Sequence, residues 1–205
     1  MKRIAIFFTA LALLATGCNK GQEFTLTGDL ESAGFKFTPE ALILQSDALD
    51  QLVTIPVKDG AFSYTGKVSQ ATAATLKGSG EGKTFTQMVV LEKGTITFDD
   101  GYPCGTKLND ASSELGRAIR QAARDSNGDR AAATEVAVKA VRDYLSEHGK
   151  DASAVLALMR AKTFCKPDVL SELIDMTSPA VQNDGHIRQV SNQLTNYKKR
   201  AEQAD

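Results

Sequence analysis

Several features that would indicate a familiar activity are missing from these 205 residues. The chain has no tryptophan and two histidines, and its three cysteines never form a C-x-x-C pair. A thioredoxin-type redox site is therefore excluded from this chain. The formal charge is −1, so the basic face that nucleic-acid binding usually requires is not expected.

Long hydrophobic runs are also missing. The most apolar stretch, IAIFFTALALLA at residues 4–15, has 12 residues, whereas crossing a bilayer takes about 20. This length is typical of the hydrophobic region of a signal peptide, and Lys2 and Arg3 supply the positive charge that precedes such a region.

Small residues lead from this run into a cysteine, in the order ATGC at residues 15–18. The pattern resembles the bacterial lipobox, which signal peptidase II cleaves before a cysteine that carries diacylglycerol. The resemblance implies a signal peptide over 1–17, a lipidated Cys18, and a tether over 18–22. Two alternatives stay open: a buried N-terminal helix, and an ordinary secretory signal cut by signal peptidase I.

Lipidation would make a membrane the first partner of the protein. Three acyl chains exceed the two signals that stable anchoring needs, since each buried CH₂ contributes about 0.8 kcal/mol. Removing residues 1–17 takes away Lys2 and Arg3 and no acid, so the formal charge becomes −3. No polybasic segment is left that would hold a membrane by itself.

The residues after Cys18 bear on the compartment. No aspartate follows the cysteine, so the inner-membrane retention signal of enteric bacteria is missing. The acidic cluster that resembles a surface-export signal in Bacteroidetes is missing too. We therefore expect a lipid-anchored protein of the cell envelope, in the outer membrane and facing the periplasm.

Residues 23–103 read as an antiparallel β domain. Residues 23–30, EFTLTGDL, alternate apolar and polar positions, which is the period of a strand with one buried face. Asp59-Gly60 is a hairpin turn signal, and Pro56 indicates an edge strand or a strand end. The glycine-rich segment 77–83 joins two strands, which predicts a hairpin tip rather than a phosphate loop. Six more strands are predicted at 41–46, 51–57, within 58–68, and at 71–78, 85–92 and 95–99.

From residue 104 onward the apolar spacing changes to three and four, which is typical of amphipathic helices. Asn109 or Asp110 is the expected cap of the first helix, Val136 is expected on the inward face of the second, and Ser178-Pro179 opens another turn. The predicted fold is α+β: an antiparallel β-sandwich or barrel-like domain followed by a helical region over 104–205. The predicted helices span 108–126, 130–148, 153–164, 168–176 and 186–203.

Three short patterns in the chain belong together. They are G-x-F-x-F-x-G at Gly60, Phe62, Tyr64 and Gly66, E-x-G-x-I at Glu92, Gly94 and Ile96, and G-T-x-x-N at Gly105, Thr106 and Asn109. They resemble a domain of unknown function at the N-terminus of many Bacteroidetes lipoproteins. In many of these proteins a thioredoxin-like thiol-disulfide oxidoreductase domain follows the helices. Because this chain lacks the W-C-x-x-C motif, the resemblance implies at most a thioredoxin-like partner.

Cys104 and Cys165 are the pair that remains once Cys18 carries lipid. An exported protein can join such a pair in a disulfide. The loop would enclose about 60 residues, and closing it would remove about 4 kcal/mol of unfolded-state entropy. The alternative is two independent thiols, since the sequence gives no distance between them.

Other candidate sites have simpler explanations. Residues 125–129, DSNGD, resemble the start of a calcium loop, but Arg130 and Val136 stand where glycine and glutamate are needed. A loop between two helices is predicted instead. His148 and His186 lie at predicted helix ends without a second ligand at useful spacing, so no metal or cofactor is expected.

Three functions are consistent with these patterns. The first is a non-catalytic binding or assembly module anchored by Cys18, and the second is an accessory of thiol–disulfide chemistry. The third is an enzyme with an unrecognised site, in which acids such as Glu92 and Asp99 line a pocket. The first is favoured, and the protein is not expected to be an enzyme, because the sequence contains no G-x-S-x-G, P-loop or H-E-x-x-H motif.

Overall fold

The computed structural model describes residues 21–203, and the predicted signal peptide and Cys18 lie outside the described residues. Within that range eight strands come first and six helices follow, so the predicted α+β class is confirmed. The strands are β1 (Gln22–Asp29), β2 (Ala41–Gln45), β3 (Val53–Pro56), β4 (Ala61–Val68), β5 (Thr72–Gly80), β6 (Lys83–Leu91), β7 (Gly94–Asp99) and β8 (Tyr102–Cys104). The helices are α1 (Lys107–Asp125), α2 (Arg130–His148), α3 (Ser153–Ala161), α4 (Pro167–Asp175), α5 (Pro179–Gln182) and α6 (Gly185–Glu202).

The strands form two sheets of four strands each, in the orders β4-β1-β7-β8 and β3-β2-β5-β6. The β1 and β7 strands are parallel, and the other pairs are antiparallel. The sequence pattern predicts seven of the eight strands. It misses β8, because three residues with Pro103 at the centre are too short to show alternation.

The alternation in β1 correctly predicts its buried face. Phe24 and Leu26 are fully buried, and both belong to a hydrophobic cluster that draws residues from both sheets. The largest fully buried members of this β cluster are Phe24, Leu26, Leu42, Leu44, Ile55, Leu76, Leu91 and Ile96.

Two turn predictions are confirmed by the backbone. Asp59 and Gly60 have φ angles of 53° and 76°, which is the left-handed region where glycine is at no disadvantage. Their turn closes on a single bridge between Lys58 and Ala61 and then leads from one sheet into the other. Pro56 ends β3, an edge strand. The 77–83 segment is the tip of the β5–β6 hairpin.

The helices follow the predicted boundaries closely, with corrections at single residues. The cap of α1 is Thr106, so the prediction of Asn109 or Asp110 is wrong, and Asn109 is fully buried inside the first turn. Val136 is 55% exposed, because Ala137 takes the buried position in α2. Ser178 is confirmed as a cap, since its Oγ accepts a hydrogen bond from the Val181 amide at 3.4 Å.

The helical region has its own hydrophobic cluster, and this cluster includes Ala73 of β5 and Val90 of β6. The helices therefore cover the outer side of the β5–β6 hairpin. Among residues 21–203, no helix combines the length and the apolar character needed to cross a bilayer.

Candidate functional site

The β region and the helices meet at a joint built around Glu92. Its Oε1 accepts hydrogen bonds from the Thr106 hydroxyl and the Leu108 amide, each at 2.7 Å, and from the Asn109 amide at 3.2 Å. Thr106 is the N-cap residue but its side chain caps no amide, so the carboxylate that directly follows β6 supplies the capping acceptor of α1, where it also suits the positive end of the helix dipole.

Asn109 completes this joint by pairing with the backbone of β6. Its Oδ1 accepts from the Val90 amide at 2.9 Å, and its Nδ2 donates to the Val90 carbonyl at 2.8 Å. Because Asn109 is fully buried, both of its polar atoms need these partners. The E-x-G-x-I and G-T-x-x-N patterns therefore supply the two sides of one structural joint, in which Glu92 accepts hydrogen bonds from the start of α1.

A second buried contact holds α1 against α3 and β8. Arg160 donates to the Ser112 carbonyl at 2.9 Å and to the Ser112 hydroxyl at 2.7 Å. Ser113 donates to the Pro103 carbonyl of β8. Three guanidinium groups surround the Tyr102 ring, with Arg120 at 4.7 Å from its centroid, Arg117 at 5.1 Å and Arg160 at 6.0 Å. A cation in such a position is attracted electrostatically to the negative face of the aromatic ring.

Beside this joint lies a cleft of about 460 Å³ between the β region and the helices. Its charged lining comes from Asp47, Lys150, Asp151 and Asp184. Its apolar lining comes from small and medium side chains, Ala48, Ala71, Ala73, Leu108, Ala152, Val155, Ala180 and Val181. Gln70, Thr72 and Asn183 complete the lining, so polar and apolar groups contribute about equally to its surface.

Asp47 ties the two walls of this cleft together. Its Oδ2 accepts from the Gly185 amide at 3.0 Å and lies 3.9 Å from the Arg188 guanidinium. A Cβ at position 185 would come within 2.6 Å of that oxygen, so a larger residue there would displace the Asp47 carboxylate from this position. Asp47 follows β2, and Gly185 begins α6. This hydrogen bond therefore joins the β region to the helices at one edge of the cleft, between residues that are 138 positions apart in the sequence.

Each histidine is paired with an aspartate that lines the cleft. Asp184 Oδ1 lies 3.0 Å from His186 Nδ1, and the His186 side chain is 24% exposed. The hydrogen bond between the Asp184 carboxylate and the imidazole raises the pKa of His186. Burial lowers this pKa, whereas the negative charges of Asp184 and Asp47 raise it further.

The second pair joins the end of α2 to the next loop. Asp151 Oδ2 lies 3.0 Å from His148 Nδ1, and the His148 ring stacks on Tyr144 with centroids 4.5 Å apart. Burial raises the pKa of Tyr144, and the nearby Ser153 hydroxyl and Arg160 charge partly oppose this. Sequence reasoning finds the two histidines but misses their partners, for which the signals were H-x-x-D at 148–151 and D-x-H at 184–186.

These pairs fix the orientation of the imidazoles and the charge of the cleft. Among residues 21–203, no hydroxyl or thiol hydrogen-bonds either imidazole, and no three His, Cys, Asp or Glu side chains are grouped to hold a metal ion.

The two cysteines of the described region have different surroundings. Both are free thiols and partly exposed. Cys104 Sγ lies 3.3 Å from the Thr97 hydroxyl in the β7–β8 pair, whereas Cys165 packs at the edge of the helical cluster. Burial raises the pKa of the Cys165 thiol, opposed by the charge of Arg142. The Cys104–Cys165 disulfide stays a prediction.

The remaining sequence candidates have structural roles. Asp129 caps α2 by accepting from the amides of Ala131 and Ala132 at 2.9 and 3.0 Å, and the predicted loop between the two helices is confirmed at 126–129. Asp99 forms an ion pair with Arg117 at 2.9 Å on the surface and does not line the cleft.

Comparisons with known proteins identify no relative of this chain. No protein-family model, no curated protein and no solved structure matches the chain.

Proposed function

We propose that this protein is a bacterial envelope lipoprotein that acts as a non-catalytic binding or assembly module, anchored through acyl chains on Cys18. The proposal rests on a spacing in the sequence. Cys18, which ends the signal-like segment, lies four positions before β1 begins at Gln22. Cleavage before Cys18 would remove the apolar run and leave every strand and helix of the described region in the mature chain.

The anchor is tested by metabolic labelling with an alkyne fatty acid in a Gram-negative host. We expect label on the wild type, and we expect Cys18→Ser to lose it and to accumulate as the larger precursor. Cys104→Ser is the matched control and should be labelled and processed normally. An unlabelled wild type, or normal processing of Cys18→Ser, would contradict the anchor.

The cleft beside Asp47 is where we place the ligand or partner of the module. Its support is the convergence of three carboxylates and one ammonium group on a small apolar wall, at the boundary of two regions.

Chemical crosslinking in intact envelopes tests this part of the proposal. Ala180 is exposed and lines the cleft, so Ala180→Arg should block it and remove crosslinked partners. Ala123→Arg, at an exposed position of α1, is the control and should leave them in place. Equal crosslinking by both variants, or a wild type that crosslinks to nothing and carries no ligand, would contradict a binding role for the cleft.

We propose in addition that the two sheets form a β-sandwich. The support is the β cluster, in which Phe24, Leu26 and Ile96 come from one sheet and Leu42, Leu76 and Val89 from the other. Facing sheets lie about 10 Å apart with interdigitated side chains. Nuclear Overhauser contacts are expected between methyl groups of Leu26 or Ile96 and those of Leu42 or Leu76, and their absence would refute the sandwich.

A second candidate function is that of an accessory to a thioredoxin-like protein. The observation that favours it is that Cys104 and Cys165 are both partly exposed, as exchange with a partner requires. Against it, the raised pKa of Cys165 reduces the reactive thiolate. Alkylation of envelope proteins under non-reducing conditions, followed by a gel shift, decides the matter: thiols that are never oxidised and never trapped with a partner would exclude this function.

A further inference from the structure

Several strands of the β region begin or end close to the start of β1. Gln22 at the start of β1 pairs with Val68 at the end of β4, and Phe24 pairs with Gly94 at the start of β7. In the other sheet, Thr72 pairs with Leu91, so β5 begins and β6 ends on this side as well. We call the surface formed here by Gly21–Glu23, Lys67, Ser69, Lys93–Thr95 and Lys107 the anchor end.

The chain outside the structure limits how far the anchor end can lie from the position of Cys18. Gln22 lies four positions after Cys18, and a fully extended chain of that length spans at most about 14 Å. The headgroup region of a bilayer is roughly 5–8 Å thick on each side. A lipidated Cys18 would therefore hold the anchor end no more than about 6–9 Å beyond the headgroups.

Three lysines surround the point at which the chain leaves the body. A Cβ at Gly21 would lie 3.3 Å from the Cβ of Lys67. Lys93 directly follows Glu92, and Lys107 lies between Thr106 and Leu108, which both hydrogen-bond to that same carboxylate. All three lysines are exposed.

Three acids also lie at this surface and keep their charge, but two of them face backbone amides at the positive end of α1 rather than the lysines. Glu92 is occupied as the cap of α1, and Asp110 accepts a hydrogen bond from the Gly105 amide at 2.9 Å. Glu23 lies 4.0 Å from Lys67 with both side chains more than half exposed, and such surface pairs are weak. No acid forms an ion pair with Lys93 or Lys107 among the contacts of residues 21–203.

We propose that the anchor end rests on anionic phospholipid headgroups, with Lys67, Lys93 and Lys107 contacting their phosphates. The inference rests on the proposed lipidation of Cys18. The acyl chains hold the protein, and the lysines orient it, because the headgroup charges lie within the Debye length of about 8 Å. The three lysines are far apart in sequence, so no polybasic segment reveals this surface.

Lysine footprinting on vesicles tests the proposal. The mature protein would be purified with its acyl chains and reconstituted into vesicles of phosphatidylcholine alone or of phosphatidylcholine with phosphatidylglycerol. Each sample is treated briefly with an amine-reactive acetylating reagent and analysed by mass spectrometry. We expect the three lysines of the anchor end to be modified about five-fold more slowly on the anionic vesicles, the ratio that corresponds to about 1 kcal/mol per lysine.

Lys36 and Lys83 are the internal controls. Lys83 begins β6, roughly 27 Å along the strand from Leu91, and Lys36 lies near Gly34, which contacts Gly101 beyond the far end of β7. Both should be modified at the same rate on the two kinds of vesicle. Equal rates at the anchor end, with the protein floating on both vesicles, would overturn the proposed surface while leaving the lipid anchor intact.

A double variant separates the surface from the anchor. Lys93→Gln with Lys107→Gln should still float with the vesicles but should lose most of the protection of Lys67, whereas Lys36→Gln with Lys83→Gln should keep it. Undiminished protection of Lys67 in the first variant would overturn the assignment. A wild type that carries no acyl chain and stays in solution would overturn the lipid anchor and, with it, this surface.

Discussion

The two halves of the described chain are held in different ways. In the β region the buried cluster consists of large aliphatic and aromatic side chains from two sheets. In the helical region Asn109, Ser112, Ser113 and Ser153 are fully buried beside the apolar cluster. Three of these polar residues lie on one face of α1 and hydrogen-bond to β6, β8 or α3.

This difference indicates that apolar burial stabilises each half, while polar contacts decide where the helices dock. A hydrophobic face tolerates several packing arrangements, but a buried amide or hydroxyl is satisfied in few of them. The joint at Glu92 and Asn109 is therefore expected to set the width of the cleft beside Asp47. Substitutions in the two hydrophobic clusters, at the joint and at the cleft test this difference.

The largest effect is expected from removing core volume in either half. Leu76→Ala in β5 and Leu173→Ala in α4 each truncate a fully buried side chain, which should lower the free energy of unfolding by about 2–5 kcal/mol. Urea unfolding followed by circular dichroism measures both. Because the joint couples the halves, each variant should unfold in one transition, and two separate transitions would show that the halves are independent.

The joint itself is probed by Asn109→Ala. The substitution leaves the buried amide and carbonyl of Val90 without their side-chain partner, which should cost about 1–3 kcal/mol. Glu114→Ala, an exposed position of the same helix, is the control and should change stability by less than about 0.5 kcal/mol. Equal effects of the two substitutions would mean that the polar joint does not stabilise the docked helix.

A smaller effect is expected where α1 approaches β8. A Cβ at Gly116 would lie 2.5 Å from Cε1 of Tyr102, and overpacking of this kind costs about 1–3 kcal/mol. Alanine gains up to about 1 kcal/mol in helix propensity, so Gly116→Ala should be destabilising by about 1 kcal/mol. Ala118→Gly, at an exposed site of α1, measures the propensity contribution alone, and a stabilised Gly116→Ala would show that the interface is loose.

The smallest effect concerns pH at the cleft. Because Asp184 raises the pKa of His186 above 6.5, the folded state binds the proton more tightly than the unfolded state. The stabilisation is fully present below pH 6.5 and is lost as the pH rises through the raised pKa. His186→Gln should flatten this dependence, measured by urea unfolding at several pH values. An NMR titration that places the pKa of His186 at or below 6.5 would contradict the expected direction.

Much of the secondary structure is predictable from the sequence, because it depends on local spacing. The period of two in β1 and the periods of three and four in α1 follow from side chains that must face one core. Turn residues act locally as well, since Asp59 and Gly60 adopt positive φ between the paired backbones of Lys58 and Ala61. The order of the strands in the two sheets does not follow from such patterns, because it depends on pairings between distant segments.

The sequence by itself determined the α+β order of elements, the buried face of β1, the loop at 126–129 and the cap at Ser178. Only the tertiary structure decided that Glu92 caps a helix that begins 15 residues later, that Asn109 pairs with β6, and that Asp47 closes the cleft onto Gly185. The physical reason is range: propensity and periodicity act over a few residues, whereas a buried carboxylate or amide finds its partner wherever the fold brings a donor or an acceptor.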